Sequence, residues 1–258
     1  MTEPAIVTLD LLLFFMLIFS RWLCLSIMLP WLGAQLLPSP VRIALAIVLS
    51  AVSVSFLLPH TEIPSGLNIF FITALFLKEA LLGFLLGFLA SLIFYAYELF
   101  GEIIDLARAA SMAKLLVPHM RHQASLMGTF LFQFSLVVFI GLGLHRELIK
   151  GLFLSFEYFP VFSSPSLNQN HFFHMATTIL ASLFRLALSL SLPIVFICFL
   201  IDLAFGLLNR VAPQINAYFL SLPAKVLTGL FILWLALSFM VDDFLSTYQE
   251  LTSLVLHR

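Results

Sequence analysis

From Leu9 to Pro30 the chain is apolar except for Asp10, Ser20, Arg21 and Ser26, and runs of this kind return along most of its length. At a rise of 1.5 Å per residue, about 20 such residues cross the ~30 Å hydrocarbon layer of a bilayer as a helix, a form in which the backbone satisfies its own polar groups. Further runs extend from Ile43 to Leu58, Ile69 to about Tyr97, Ser125 to Leu144, Phe172 to Ile201 and Tyr218 to Val241. The pattern predicts an all-α membrane protein with six crossings. A soluble alternative fails on composition: with 62% hydrophobic and 10% charged residues, no single core of a 258-residue chain could hide the apolar side chains.

Several functional classes fall away on the same reading. Basic residues are sparse and scattered, which gives no footprint for nucleic acid. Cys24 and Cys198 lie in apolar runs, where buried free thiols are expected. His60, His119, His122, His145, His171 and His174 form no HExxH or clustered His/Cys/Asp pattern, and no Walker loop, GxSxG elbow or dinucleotide glycine motif occurs. The expectation is a protein without catalytic, metal or cofactor-binding residues. Acidic Glu3 and Asp10 precede the first run where a signal peptide would carry positive charge, so that run is read as a retained helix.

The polar residues inside the runs are more telling. A charge facing lipid at mid-depth costs at least about 2.5 kcal/mol, so Arg21 and Arg185 are expected to be buried against protein or to reach an interface. Lys78 and Glu79 interrupt the third run, and Gly83 and Gly87 form a GxxxG pair that would allow a neighbouring helix to approach closely. Pro193 is expected to kink or break the fifth run. The second run is short for a full span, leaving a re-entrant or buried position open. Links are expected at Gln35 to Arg42 and Pro59 to Asn68. A connector after Leu144 holds an amphipathic piece around Leu148 to Phe156 and an exposed loop from Pro160 to Asn170.

Two stretches concentrate polarity. In Tyr97 to Gln123, Glu98, Glu102 and Asp105 approximate one helical face, with Arg108 one step further. Two readings stay open for it: an interfacial amphipathic helix followed by a loop, or acidic side chains that line a polar interior or pair with a neighbouring subunit. The second stretch, Asp202 to Lys225, interrupts apolar sequence with Asp202, Asn209, Arg210, Pro213, Gln214, Asn216, Pro223 and Lys225.

The order of residues in FGLLNRVAPQINAYFLSLPAK, Phe205 to Lys225, resembles the signature of the export-apparatus family that comprises the flagellar biosynthetic protein R and the T component of type III secretion. Asn209, Arg210, Ala212-Pro213-Gln214, Asn216, Phe219, Pro223 and Lys225 carry the likeness. Glu98, Gly101, Ile104 and Asp105 match the family's E-x-x-G-x-x-I-D island, and Arg21 followed by Pro30 is similar to its early R...P pattern. Asn209-Arg210 before Ala-Pro-Gln, and Ser221-Leu222-Pro223, look more like the injectisome branch. Ala107 and Ala109 depart from glycines frequent in the family.

The resemblance implies a structural, non-enzymatic subunit of the bacterial inner membrane, a single export-gate domain over residues 1–258. Its long broken hairpins would assemble into a helical hetero-oligomeric gate raised partly towards the periplasm, not an isolated transmembrane bundle. Implied partners are P/R-type and Q/S-type subunits, a larger export-gate membrane protein, membrane lipids and the unfolded proteins that pass through. On this reading Glu98, Glu102, Asp105, Arg108, Met112 and Lys114 are pore or plug candidates, and Asp202 to Lys225 is a bend and packing segment, with breaks at Pro213 and Pro223. The rival is a self-sufficient small-solute or ion transporter, in which Arg185, Pro193 and Asp202 would serve a broken-helix site.

Overall fold

A computed structural model describes residues 3–33, 37–61, 64, 68–108, 125–163, 169–214 and 216–256. Among these the chain is all helical: α1 (Glu3–Met28), α2 (Ser39–Leu57) with a 3-10 turn (Leu58–His60), α3 (Ile69–Ala107), α4 (Leu126–Gly141), α5 (Leu144–Tyr158), α6 (Gln169–Val211) and α7 (Ala217–Leu256). Five helices are long and apolar enough to cross a membrane. A sixth crossing exists only if α4 and α5, bent by 77°, count together as one span.

Helices run through much of the sequence expected to be links. α2 begins at Ser39, so Pro40 and Arg42 are helical: Pro40 occupies the first turn, where its missing N–H would have had no intrahelical partner. α2 is neither buried nor short of a span, for its 19 residues expose most side chains and bury only Ala46, Ser50 and Ser53 on one face. α3 continues ten residues past Tyr97, carrying Glu98, Glu102 and Asp105 in regular helix. Pro193 does not break α6, nor Pro223 α7. Each proline removes one backbone hydrogen bond, and the remaining ladder carries the helix through. The break lies at Pro213, which disfavours helical dihedrals at Ala212. Asn216 then caps α7, its Oδ1 accepting the Phe219 N–H at 3.4 Å.

The chain divides into two compact units, Met1–Leu92 with Gly143–Ala176, and Ile93–Leu142 with Thr177–Arg258. In the first, the Gly83–Gly87 pair serves a crossing inside the chain. A Cβ at Gly83 would strike the Arg21 carbonyl oxygen, and one at Gly87 would lie 2.8 Å from the Leu25 carbonyl oxygen, so α3 and α1 meet backbone to backbone. That contact draws Arg21 towards Glu79, one turn before Gly83. Trp22 fixes α2 alongside by donating its indole N–H to Ser53 Oγ at 2.9 Å. α5 buries Leu144, Leu148, Leu152 and Phe156, a helical stripe that includes the amphipathic piece read from the sequence.

In the second unit an aromatic core gathers around α3. Phe94 meets Phe139 edge-on at 5.2 Å, Tyr97 lies 5.4 Å from Phe244, and the Tyr97 hydroxyl donates to the Met240 carbonyl at 2.9 Å. The last satisfies a phenol that would otherwise be stranded in an apolar interior. Further along, the backbones of Gly101 on α3 and Gly128 on α4 approach so closely that any Cβ at 101 would overlap the neighbouring backbone.

Candidate functional site

Just beyond this glycine crossing, Asp105 becomes the hub of a buried polar clamp. Its Oδ1 accepts from Arg108 Nη2 at 2.5 Å; its Oδ2 accepts from Ser125 Oγ at 2.6 Å and from the Met127 N–H at 3.0 Å. Ser125 is also the N-cap of α4, accepting the Gly128 N–H at 2.9 Å. The first amides of a helix have no intrahelical partners. One carboxylate and one hydroxyl therefore both start α4 and tie it to the end of α3. The stretch 109–124, which lies outside the described residues together with Met112 and Lys114, begins and ends at this clamp. Glu98 is half-buried and Glu102 exposed. Of the proposed pore set, the structure brings Asp105 and Arg108 together and leaves Glu98 and Glu102 apart from them.

A second ion pair joins α6 to α7, between Lys225 and Asp202. The Lys225 side chain is 5% exposed and that of Asp202 50%, so the carboxylate draws a cation inward while its own outer side stays open. Beyond this pair the hairpin changes character. None of the described residues from 203 to 216 is buried. Asn209, Arg210, Pro213, Gln214, Asn216 and Phe219 are all exposed, as are the apolar Leu203, Leu207 and Val211, the last at 84%. Pro223 is exposed as well.

The first unit holds the densest charge cluster. Arg21 Nε donates to Glu79 Oε2 at 2.6 Å, Nη2 to the Phe159 carbonyl at 2.8 Å, and Nη1 to Ser155 Oγ and its carbonyl, each at 3.3 Å. The guanidinium lies 4.1 Å from the Phe156 ring centroid. Lys78 Nζ stands 3.0 Å from Glu79 Oε1 as an ion pair and donates to the carbonyls of Pro160, Val161 and Ser163. Glu79 is fully buried. Sequence reasoning singled out Arg21 as a buried charge and noted Lys78 and Glu79 inside the third run without pairing them with it. The available signal was that two opposite charges, each ruinous against lipid, interrupt different runs. Arg185 departs from expectation: it is exposed, because α6 turns Leu183 and Ala187 inward and Arg185 to the other face.

Among the described residues no group of His, Cys, Asp or Glu is placed to hold a metal ion. What the arrangement offers is cohesion within each unit. The family model of the bacterial export proteins, family 1, matches residues 12–251. The chain belongs to this family. It is similar to the flagellar biosynthetic protein FliR of Bacillus subtilis, 29% identical over 89% of this chain and 88% of that protein. It is likewise similar to the Yop proteins translocation protein T of Yersinia pestis, 31% identical over 83% of this chain and 82% of the relative. The surface presentation of antigens protein SpaR of Shigella flexneri is 29% identical over 92% of this chain and 91% of its own. Flagellar and secretion relatives match about equally, so these identities place the chain among the R/T export proteins without choosing a branch. Like the family, it is a multi-pass protein of the bacterial inner-membrane export apparatus.

Proposed function

We propose that this protein is a structural subunit of the inner-membrane gate of a type III secretion system, on the injectisome branch, and that it helps form and seal the channel for unfolded proteins. Its companions would be P/R-type and Q/S-type subunits and a larger gate protein, with residues 1–258 acting as one export-gate element.

The observation that carries this reading is the length of unburied apolar helix. On α3, exposed large apolar side chains run from Ile69 to Tyr95 and recur at Leu106, past the exposed Glu102, so apolar groups lie bare at both ends of the stretch from Ile69 to Leu106. At 1.5 Å per residue this is about 56 Å of helix, which would need a tilt near 60° to fit inside ~30 Å of hydrocarbon, beyond the 0–40° that membrane helices show. Lipid covers only part of such a surface; other protein must cover the rest. Exposed Arg185 and the apolar signature hairpin ask for the same cover.

Extraction in mild detergent followed by native mass measurement tests the assembly. The expected result is one copy of this chain within a larger hetero-oligomer; a stable monomer or homodimer that binds a small solute would establish the transporter instead. Sealing has its own test. Shortening the chain between Ala107 and Ala113 is expected to raise small-ion leak through a complete gate, and unchanged conductance there would remove the sealing role.

A further inference from the structure

The end of α3 meets α7 at Gly229. A Cβ placed there would lie 2.6 Å from Arg108 Cδ and 3.3 Å from its Cγ, so the arginine stem occupies the space that any side chain at 229 needs. Gly206 on α6, by contrast, has nothing within 4 Å of a Cβ placed on it, so not every helical glycine of this unit serves as a seat. A glycine inside a helix costs about 1 kcal/mol relative to alanine, a cost offset here by the seat it makes for a buried cation. Arg108 is buried, and its Nη2 is engaged by Asp105. Its Nε has no partner among the described residues, so the side chain is held by Asp105 at its tip and by α7 along its stem. One turn earlier on α7, Lys225 pairs with Asp202 of α6. Within a single turn, α7 thus grips α6 through 225 and the end of α3 through 229.

We propose that Gly229 is a positioning residue: a notch in α7 that seats Arg108 and through it lets the C-terminal hairpin hold the Asp105 clamp closed on the start of α4. A side chain at 229 expels the Arg108 stem. The guanidinium cannot swing away without leaving Asp105 short of a partner, and Asp105 then loosens its hold on Ser125 and the Met127 N–H. The bearing of this coupling on sealing rests on the channel reading above, whereas the coupling itself is read independently of export.

Amide hydrogen exchange supplies that readout, because the Met127 N–H has Asp105 as its partner at a helix start that offers no intrahelical one. In the full chain purified in detergent, Gly229→Val is expected to speed exchange at Met127 by about tenfold, and Gly229→Ala by less. Arg108→Ala also speeds it, and the double variant Arg108→Ala/Gly229→Val exchanges at the Arg108→Ala rate, since no stem remains to be displaced. Wild-type protection in Gly229→Val overturns the proposal. So does acceleration by Gly229→Val that persists on top of Arg108→Ala, which would make residue 229 a general packing position. Exchange around Phe94 and Phe244, in the aromatic core of the same unit, reports that each variant is folded; if the valine variant is not, the alanine variant decides by the same two comparisons. Loss of the Met127 effect with leak from the shortened 107–113 variant intact would remove the coupling and leave the channel reading standing, and the converse would do the reverse.

Discussion

Glu79→Leu is expected to destabilise the full chain by about 3–5 kcal/mol, the cost of leaving a buried cation uncompensated. Arg21 would remain 2% exposed with its guanidinium over Phe156 and its Nη groups on the Ser155 and Phe159 carbonyls, but without a counter-charge. Lys78 would lose its ion-pair partner as well. Arg21→Met alone should cost a similar amount, for it strands Glu79. Desolvation sets the sign of the combined effect. A buried ion pair regains little more than it lost on leaving water, so Arg21→Met/Glu79→Leu should recover most of the loss of either single change. Denaturant-driven unfolding in detergent checks this as a double-mutant cycle. Additive losses would show that the two residues act separately and that the short Arg21–Glu79 contact contributes nothing of its own.

The same cluster shows what was legible in the sequence. Apolar runs located the helices, because a lipid-facing backbone has few other solutions, and the signature from Phe205 to Lys225 located the hairpin. The ends of helices were not legible. Glu98, Glu102 and Asp105 read as an interruption of the third run, yet a helix tolerates charges that face outward or find partners, and α3 carries all three. Pro193 and Pro223 read as breaks, yet one missing hydrogen bond in a helix of 43 or 40 residues does not end it. The partners of Asp105 could not be named either: Ser125 is 20 residues away and Met127 contributes only a backbone N–H, so neither carries a mark in composition or period. Glu79 could have been paired with Arg21 by the cost of each against lipid, and the GxxxG pair one turn on gave the crossing that joins them.

Arg185 marks the limit of a single chain. The desolvation argument required protein or water beside it, and within this chain it has neither a buried position nor an inward face. The hairpin residues from 203 to 216 share that condition, with Leu207 and Val211 exposed next to Asn209 and Arg210. A surface that mixes large apolar groups with a cation and amides suits neither lipid nor water. On the gate reading proposed above, a partner subunit would cover it, and the signature would serve as a docking tip as well as a bend. The bend itself needs only Pro213 to end one helix and Asn216 to cap the next.

The largest effect in the second unit is expected from Asp105→Ala. It removes the counter-charge of buried Arg108, the partner of Ser125 Oγ and the acceptor of the Met127 N–H at once, and about 3–5 kcal/mol of local or global stability should be lost. Ser125→Ala removes the cap of α4 but leaves the Asp105–Arg108 pair, and should cost about 0.5–2 kcal/mol. Glu102→Gln, one turn before on the exposed face of α3, should change stability by less than about 0.5 kcal/mol. The ranking separates two accounts of this acidic stretch. If Asp105 acts as the clamp between the end of α3 and the start of α4, Asp105→Ala should collapse export and protection of the α4 amides together, and Glu102→Gln should leave both intact. Equal losses from Asp105→Ala and Glu102→Gln, measured by export and by amide exchange, would mean that negative charge along the helix matters and the geometry at Asp105 does not. The structure favours geometry. A carboxylate that receives a guanidinium, a hydroxyl and a backbone amide on its two oxygens is held in place by partners that an exposed acid one turn away does not touch.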